Sequence, residues 1–149
     1  MHKFLFLFVL IGIGGSLVGY KVRADNDEKE LARVPLTNYL QAHITGNPDF
    51  INKAFHADAR IMAFSGGKLT NLSVKEFAGR FNGKPAEDEA GRKRRIESLD
   101  VSGNAASAKI VLDYPTVNFT DYINLLKIDG EWKIVNKTFY AEPKEKSAK

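Results

Sequence analysis

Residues 118–140, NFTDYINLLKIDGEWKIVNKTFY, decide the fold, because they read as two long strands meeting at Asp129-Gly130. Asp-Gly between apolar-rich runs is a strong hairpin signal, since both central residues tolerate the positive φ angles of a tight turn. In the first strand Phe119, Asp121, Ile123 and Leu125 fall on one face. In the second, Trp132, Ile134, Asn136, Thr138 and Tyr140 share a face, with Val135 and Phe139 opposite. Both faces carry apolar residues, so both are expected to be covered. Helices would cover one and a second copy the other, which makes a homodimer through the sheet the expected assembly.

Working outward, Ala105 to Tyr114 alternates with period two, placing Ala106, Ala108, Ile110, Leu112 and Tyr114 on one face of a strand. The small alanines predict a helix laid closely across a curved sheet. Arg94 to Val101 is its partner strand, across the turn Ser102-Gly103-Asn104. Earlier still, Ala59 to Ser65 and Lys68 to Leu72 form a short hairpin around Gly66-Gly67. Ser73 then opens a helix from Val74 to Phe81, with Glu76 completing a capping box. The main helix shows Leu31, Val34, Tyr39, Leu40 and Ile44 at roughly helical spacing and stops at Gly46, with Pro35 in its first turn or at a kink. A short helix restarts at Asn47-Pro48-Asp49 and runs through Phe55. Gly83 to Gly91 is the long irregular segment and the expected mobile rim, and the charged tail 142–149 is expected to be disordered.

Lys3, the apolar run Phe4 to Val18 and the small residues of Val22-Arg23-Ala24 read as a secretory leader, residues 1–24, cleaved after Ala24. The domain then spans 25–141 and is expected in the bacterial periplasm or secreted, without membrane association; an uncleaved N-terminal membrane anchor is the alternative. Taking Lys3, Lys21 and Arg23 from the 22 basic residues leaves 19 against 18 acids, a net charge of +1. Nucleic-acid binding is therefore not expected. The cluster Arg92 to Arg95 directly follows Glu87-Asp88-Glu89 and reads as a solvated loop with offsetting charges. The absence of cysteine excludes disulfides, thiol catalysis and thiolate metal sites. With only His2, His43 and His56 as histidines, no metal and no cofactor is expected.

N-terminal helices followed by a mostly antiparallel sheet is an α+β order. Tyr39-Leu40, the run Ala54 to Ala59, the run Ile96 to Ala106 and above all Phe119 to Lys137 resemble the nuclear transport factor 2-like (cystatin-like) superfamily. More narrowly, they are similar to its lumazine-binding branch, close to the SnoaL-like proteins. The resemblance covers Val34 to Tyr140. It implies a cone in which a strongly curved sheet wraps a long helix and leaves a pocket. The ligand implied by the family name is lumazine-like, but this cone hosts isomerases, dehydratases, cyclases and structural modules alike, so fold alone does not fix function.

Two readings of the pocket follow. The first is a non-catalytic module holding a small apolar or aromatic molecule, with Tyr39, Phe55, Phe64, Tyr114 and Tyr140 giving contact area and Asp121 and Asn136 giving polar handles. The second is an enzyme of ketosteroid-isomerase or SnoaL-like type with a carboxylate base, for which Asp121, Asp58 and His56 are the candidates. Asp58 and His56 each also suit plain backbone capping. Asp121, set among apolar neighbours, needs a partner such as Asn136 or Lys137 if it is buried.

Overall fold

The Asp129-Gly130 turn has φ of 51° and 86°, both positive as the hairpin reading requires. In this computed structural model, which describes residues 14–145 and side chains from Asp27 onward, that hairpin lies at the centre of one six-stranded sheet. The elements in chain order are α1 Gly14–Thr45, α2 Asp49–Ala54, β1 Phe55–Ser65, β2 Lys68–Ser73, α3 Val74–Ala78, β3 Lys93–Ser102, β4 Ala105–Asp113, β5 Val117–Ile128 and β6 Glu131–Pro143. The strand order is β2-β1-β6-β5-β4-β3. Every pair is antiparallel except β1 with β6. The leader expectation falls mostly outside the described residues. Among those described, no helix is long and apolar enough to cross a membrane.

α1 lies against the sheet on a row of Ala32, Leu36, Tyr39 and Ala42, all fully buried. This corrects the face expected from the larger apolar residues: Leu31, Val34 and Ile44 are exposed, and Leu31 and Val34 border a second hollow beside Trp132. Close approach selects small side chains on the buried stripe, and Ala106 and Ala108 on β4 are buried in the same core. Pro35 sits inside the helix rather than in its first turn. Leu36, Ile51, Ile61, Ile110, Leu112, Ile123, Leu125 and Ile134 complete the sealed core, each contributing roughly 1.5–3 kcal/mol of apolar burial.

One irregularity reorganises the hairpin. Asn124 pairs with Asn136 while Leu125 pairs with Ile134, so Val135 is an extra residue in β6, a β-bulge. Beyond it the alternation changes phase. Lys137 is buried and Phe139 half-buried, whereas Thr138 and Tyr140 are exposed. The expectation that Asn136, Thr138 and Tyr140 share the face of Ile134 is thereby corrected: an uninterrupted period of two does not survive a bulge.

Other corrections are smaller. β1 begins at Phe55, so His56 and Asp58 lie on a strand and not at a helix end. α3 ends at Ala78, and Phe81 follows in tight turns whose N–H groups reach the Phe77 and Ala78 carbonyls. Its capping box is formed as expected: the Ser73 hydroxyl accepts from Glu76 N–H while the Glu76 carboxylate accepts from Ser73 N–H, a cap that stabilises by about 1 kcal/mol. The tail remains paired through Pro143, and Lys144 bonds both Thr116 O and the Asp113 carboxylate.

The candidate ligand cavity

Between α1, α3 and the curved sheet lies a cavity of about 490 Å³. Phe77, Phe81, Leu112, Phe119 and Phe139 form its apolar walls. Its floor is polar and set by three elements. Tyr39 from α1, Asp121 from β5 and Lys137 from β6 line the cavity, with residue exposures of 0%, 0% and 4%.

The trio is mutually bonded. The Tyr39 hydroxyl donates to Asp121 Oδ2 at 2.5 Å, and Lys137 Nζ donates to Asp121 Oδ1 at 3.3 Å and to the Tyr39 oxygen at 3.1 Å. The ammonium end also lies over three rings, 4.4 Å from the Phe139 centroid, 5.1 Å from Phe77 and 5.3 Å from Tyr39. Burial, reinforced by the Asp121 charge, lifts the Tyr39 phenol well above its ordinary range, so it remains a proton donor. Burial pulls the Lys137 ammonium down from its ordinary value, while Asp121 opposes that pull.

A second polar group closes one side. Tyr114 OH meets His43 Nδ1 at 3.1 Å and accepts from Arg94 Nε at 3.3 Å. Arg94 is held by two 2.7 Å bonds to Glu89 and also donates to the His43 carbonyl. Burial first, then the positive charges of Lys137, Arg94 and Arg92, push the His43 imidazole down to about 3. The ring is therefore neutral at neutral pH. The Tyr114 hydroxyl and Nδ1 share one hydrogen bond, whose donor is set by the tautomer of the neutral ring. Nε2 has no hydrogen-bond partner among the described residues.

This arrangement has a pH signature. The unfolded chain, with an ordinary histidine, binds a proton in the window below about pH 6.5 where the folded chain does not. His43 should therefore leave stability intact above that window and erode it as pH falls toward the folded value of about 3. The limiting slope is about 1.4 kcal/mol per pH unit, reduced because the ring borders the cavity. Urea titrations between pH 4 and 7 should show a shallower slope for His43→Phe than for the unaltered chain.

The segment after α3 forms the mouth, where Arg80, Asn82 and Lys84 are exposed. Arg92, stacked 4.2 Å from the Tyr114 centroid and paired with Asp88 at 2.7 Å, lines it as well. Gly83 N–H bonds the Gly46 carbonyl at 2.8 Å, anchoring the mouth to the end of α1. The basic cluster is thus partly a built feature: its acids are the neighbouring ones anticipated, but the Arg94 side chain is only 6% exposed. Among the described residues, neither Arg80 nor Lys84 has an ion-pair partner, and no group of three or more His, Asp or Glu is placed to hold a metal.

Of the residues singled out from sequence, Tyr39, Tyr114 and Asp121 line this cavity. Phe55 is buried behind it, edge-on to Tyr39 and Phe77. Phe64 and Tyr140, 69% and 62% exposed, point away, and Asn136 reaches only toward the Arg60 carbonyl. Asp58 and His56 contact each other outside the cavity, with the Asp58 side chain exposed. Lys137 was foreseen only as a partner for Asp121, and His43, Phe77, Phe81, Arg80 and Phe139 were not assigned to the site. The helical spacing of Tyr39 and His43, and of Phe77 and Phe81, is the signal that points to them.

Comparison with known proteins agrees with this architecture. A nuclear transport factor 2-like protein of unknown function from Shewanella baltica OS155 superposes with a TM-score of 0.71 at 27% identity, over 79% of this chain and 96% of that one. One from Methylobacillus flagellatus KT gives 0.68 at 31% identity, over 78% and 93%. Aldolase FrzH from Cladobotryum sp is 22% identical over 106 residues, 71% of this chain and 85% of its own length. The family model described as "Putative lumazine-binding" matches residues 27–140, so the chain belongs to that family of the nuclear transport factor 2-like superfamily.

Proposed function

We propose that the cavity binds a small, mainly aromatic molecule carrying a carbonyl group at its inner end and an anionic group at its outer end. A lumazine-like dione falls within the inner half of that description. The observation that carries the reading is the 490 Å³ apolar chamber that ends on the buried Tyr39, Asp121 and Lys137. That volume suits a small ligand, and a few convergent polar groups in apolar walls fix orientation. His43 Nε2, without a hydrogen-bond partner among the described residues, adds a polar handle, and Arg80 and Lys84 favour an anion at the mouth.

Native mass spectrometry and thermal shift with lumazine, naphthalene-2-carboxylate and neutral naphthalene test this. The aromatic acid is expected to bind and the neutral hydrocarbon more weakly. Val117→Trp, which fills part of the cavity, should weaken binding about tenfold or more while leaving the fold intact. Absence of binding by every compound would overturn the reading. Sedimentation of the same sample tests pairing of two copies, which the exposed Phe64, Tyr122 and Tyr140 favour. The mass of the chain recovered from cells, starting at Asp25 or not, tests export by the leader.

A second reading is an enzyme that moves a proton next to a carbonyl, with Asp121 as the base. It is favoured by the convergence of Asp121, Lys137 and Tyr39 on one point and by similarity to a protein named as an aldolase.

A further inference from the structure

We propose that Lys137 is a covalent site, whose ε-amine condenses with the carbonyl of an aromatic aldehyde or ketone in the cavity to form a Schiff base. The inference rests on the cavity being a ligand site and adds a bond that simple binding does not need.

Three features of the geometry support it. Lys137 is the cavity's one buried amine: the other cations lining it are Arg80, Arg92 and Lys84, and Lys84 is exposed at the mouth. Its nitrogen lies among the Phe139, Phe77 and Tyr39 rings, where a neutral amine loses less solvation than an ammonium. Proton carriers stand at hand, Asp121 Oδ1 at 3.3 Å and the Tyr39 hydroxyl at 3.1 Å. Two of the ammonium's three N–H directions are used by these partners, which leaves one facing other surroundings.

The step balances with nothing beyond the amine and the carbonyl compound. Lys137 first gives a proton to Asp121. Its lone pair then forms the C–N bond while the carbonyl π pair moves to oxygen, and that oxygen takes the Asp121 proton. The carbinolamine hydroxyl leaves as water when it is protonated again, by the second amine proton relayed through Asp121. The nitrogen pair closes the C=N bond as it leaves. The third amine proton stays on nitrogen, so the product is an iminium, whose positive charge replaces the ammonium's against Asp121. The buried ion pair thus persists after condensation, so the adduct leaves no carboxylate unpaired.

The test uses the whole chain, 2-naphthaldehyde and sodium cyanoborohydride, followed by intact mass and peptide mapping. A single secondary-amine adduct at Lys137, formed about tenfold faster than on the average surface lysine, is the expected result. Lys137→Arg, which keeps the charge, should lose that adduct. In the folded unaltered chain, competition by naphthalene-2-carboxylate should slow it. Labelling confined to surface lysines while the naphthoate still binds would overturn the Schiff base and leave the ligand reading standing. If neither labelling at Lys137 nor naphthoate binding occurs, both fail.

Discussion

Replacing Asp121 by alanine is expected to lower folding free energy by about 3–5 kcal/mol, the usual cost of removing one partner from a buried ion pair. The magnitude follows from what is left behind. Lys137, 4% exposed, would lose the one carboxylate paired with it among the described residues, and the Tyr39 hydroxyl would lose its acceptor at 2.5 Å. The pair's net worth is a separate quantity. Exchanging both residues for apolar ones of similar shape, Asp121→Leu with Lys137→Met, should recover most of the loss, because neither charge is then stranded. Urea denaturation of the two single variants and the double gives the coupling energy directly. A cost below about 1 kcal/mol for Asp121→Ala would show that the two groups are not paired in a dry site. Stability recovered in the double variant together with lost ligand binding would mark the trio as a feature kept for recognition.

Gly46→Ala should be the other severe change, at about 2–4 kcal/mol. Gly46 has φ of +69°, and a Cβ there would stand 1.9 Å from the Lys84 carbonyl oxygen. Backbone strain and collision therefore act together. Gly66→Ala separates them: φ is +58°, but nothing lies within 4 Å of the added carbon, so the loss there should be only about 1 kcal/mol. The difference between the two variants measures how tightly α1 is fastened to the mouth segment. Because that segment carries Arg80, Asn82 and Lys84 around the opening, Gly46→Ala should also weaken capture of aromatic acids in the thermal-shift assay.

Where local chemistry governs, sequence and structure agree. Asp129-Gly130 turns the hairpin, Ser73 and Glu76 cap α3, and the inward set Phe119, Asp121, Ile123 and Leu125 holds along β5. Agreement breaks where a longer-range demand overrides the local pattern. The outline of β6 is legible, but the phase after Val135 is not, since a bulge is a property of two strands in register. On α1 the larger side chains suggest one stripe, while the concave sheet takes Ala32, Leu36, Tyr39 and Ala42 because little room remains between layers. The polar floor is the extreme case. Tyr39 and Asp121 are 82 residues apart, and no periodicity within either element announces the other. What the sequence does supply is an acid and a lysine on the two strands of one hairpin.

The extra residue at Val135 separates two things that usually change together. Without it, Ile134 and Lys137 would still face inward, because removing one of two outward neighbours leaves the alternation on either side unaltered. The local coiling that the insertion gives the ribbon would relax. Chamber size is thus written in chain length, and chamber chemistry in residue identity. A single insertion or deletion at this point would reshape the space and keep its lining, while substitutions would exchange the lining without redrawing the space.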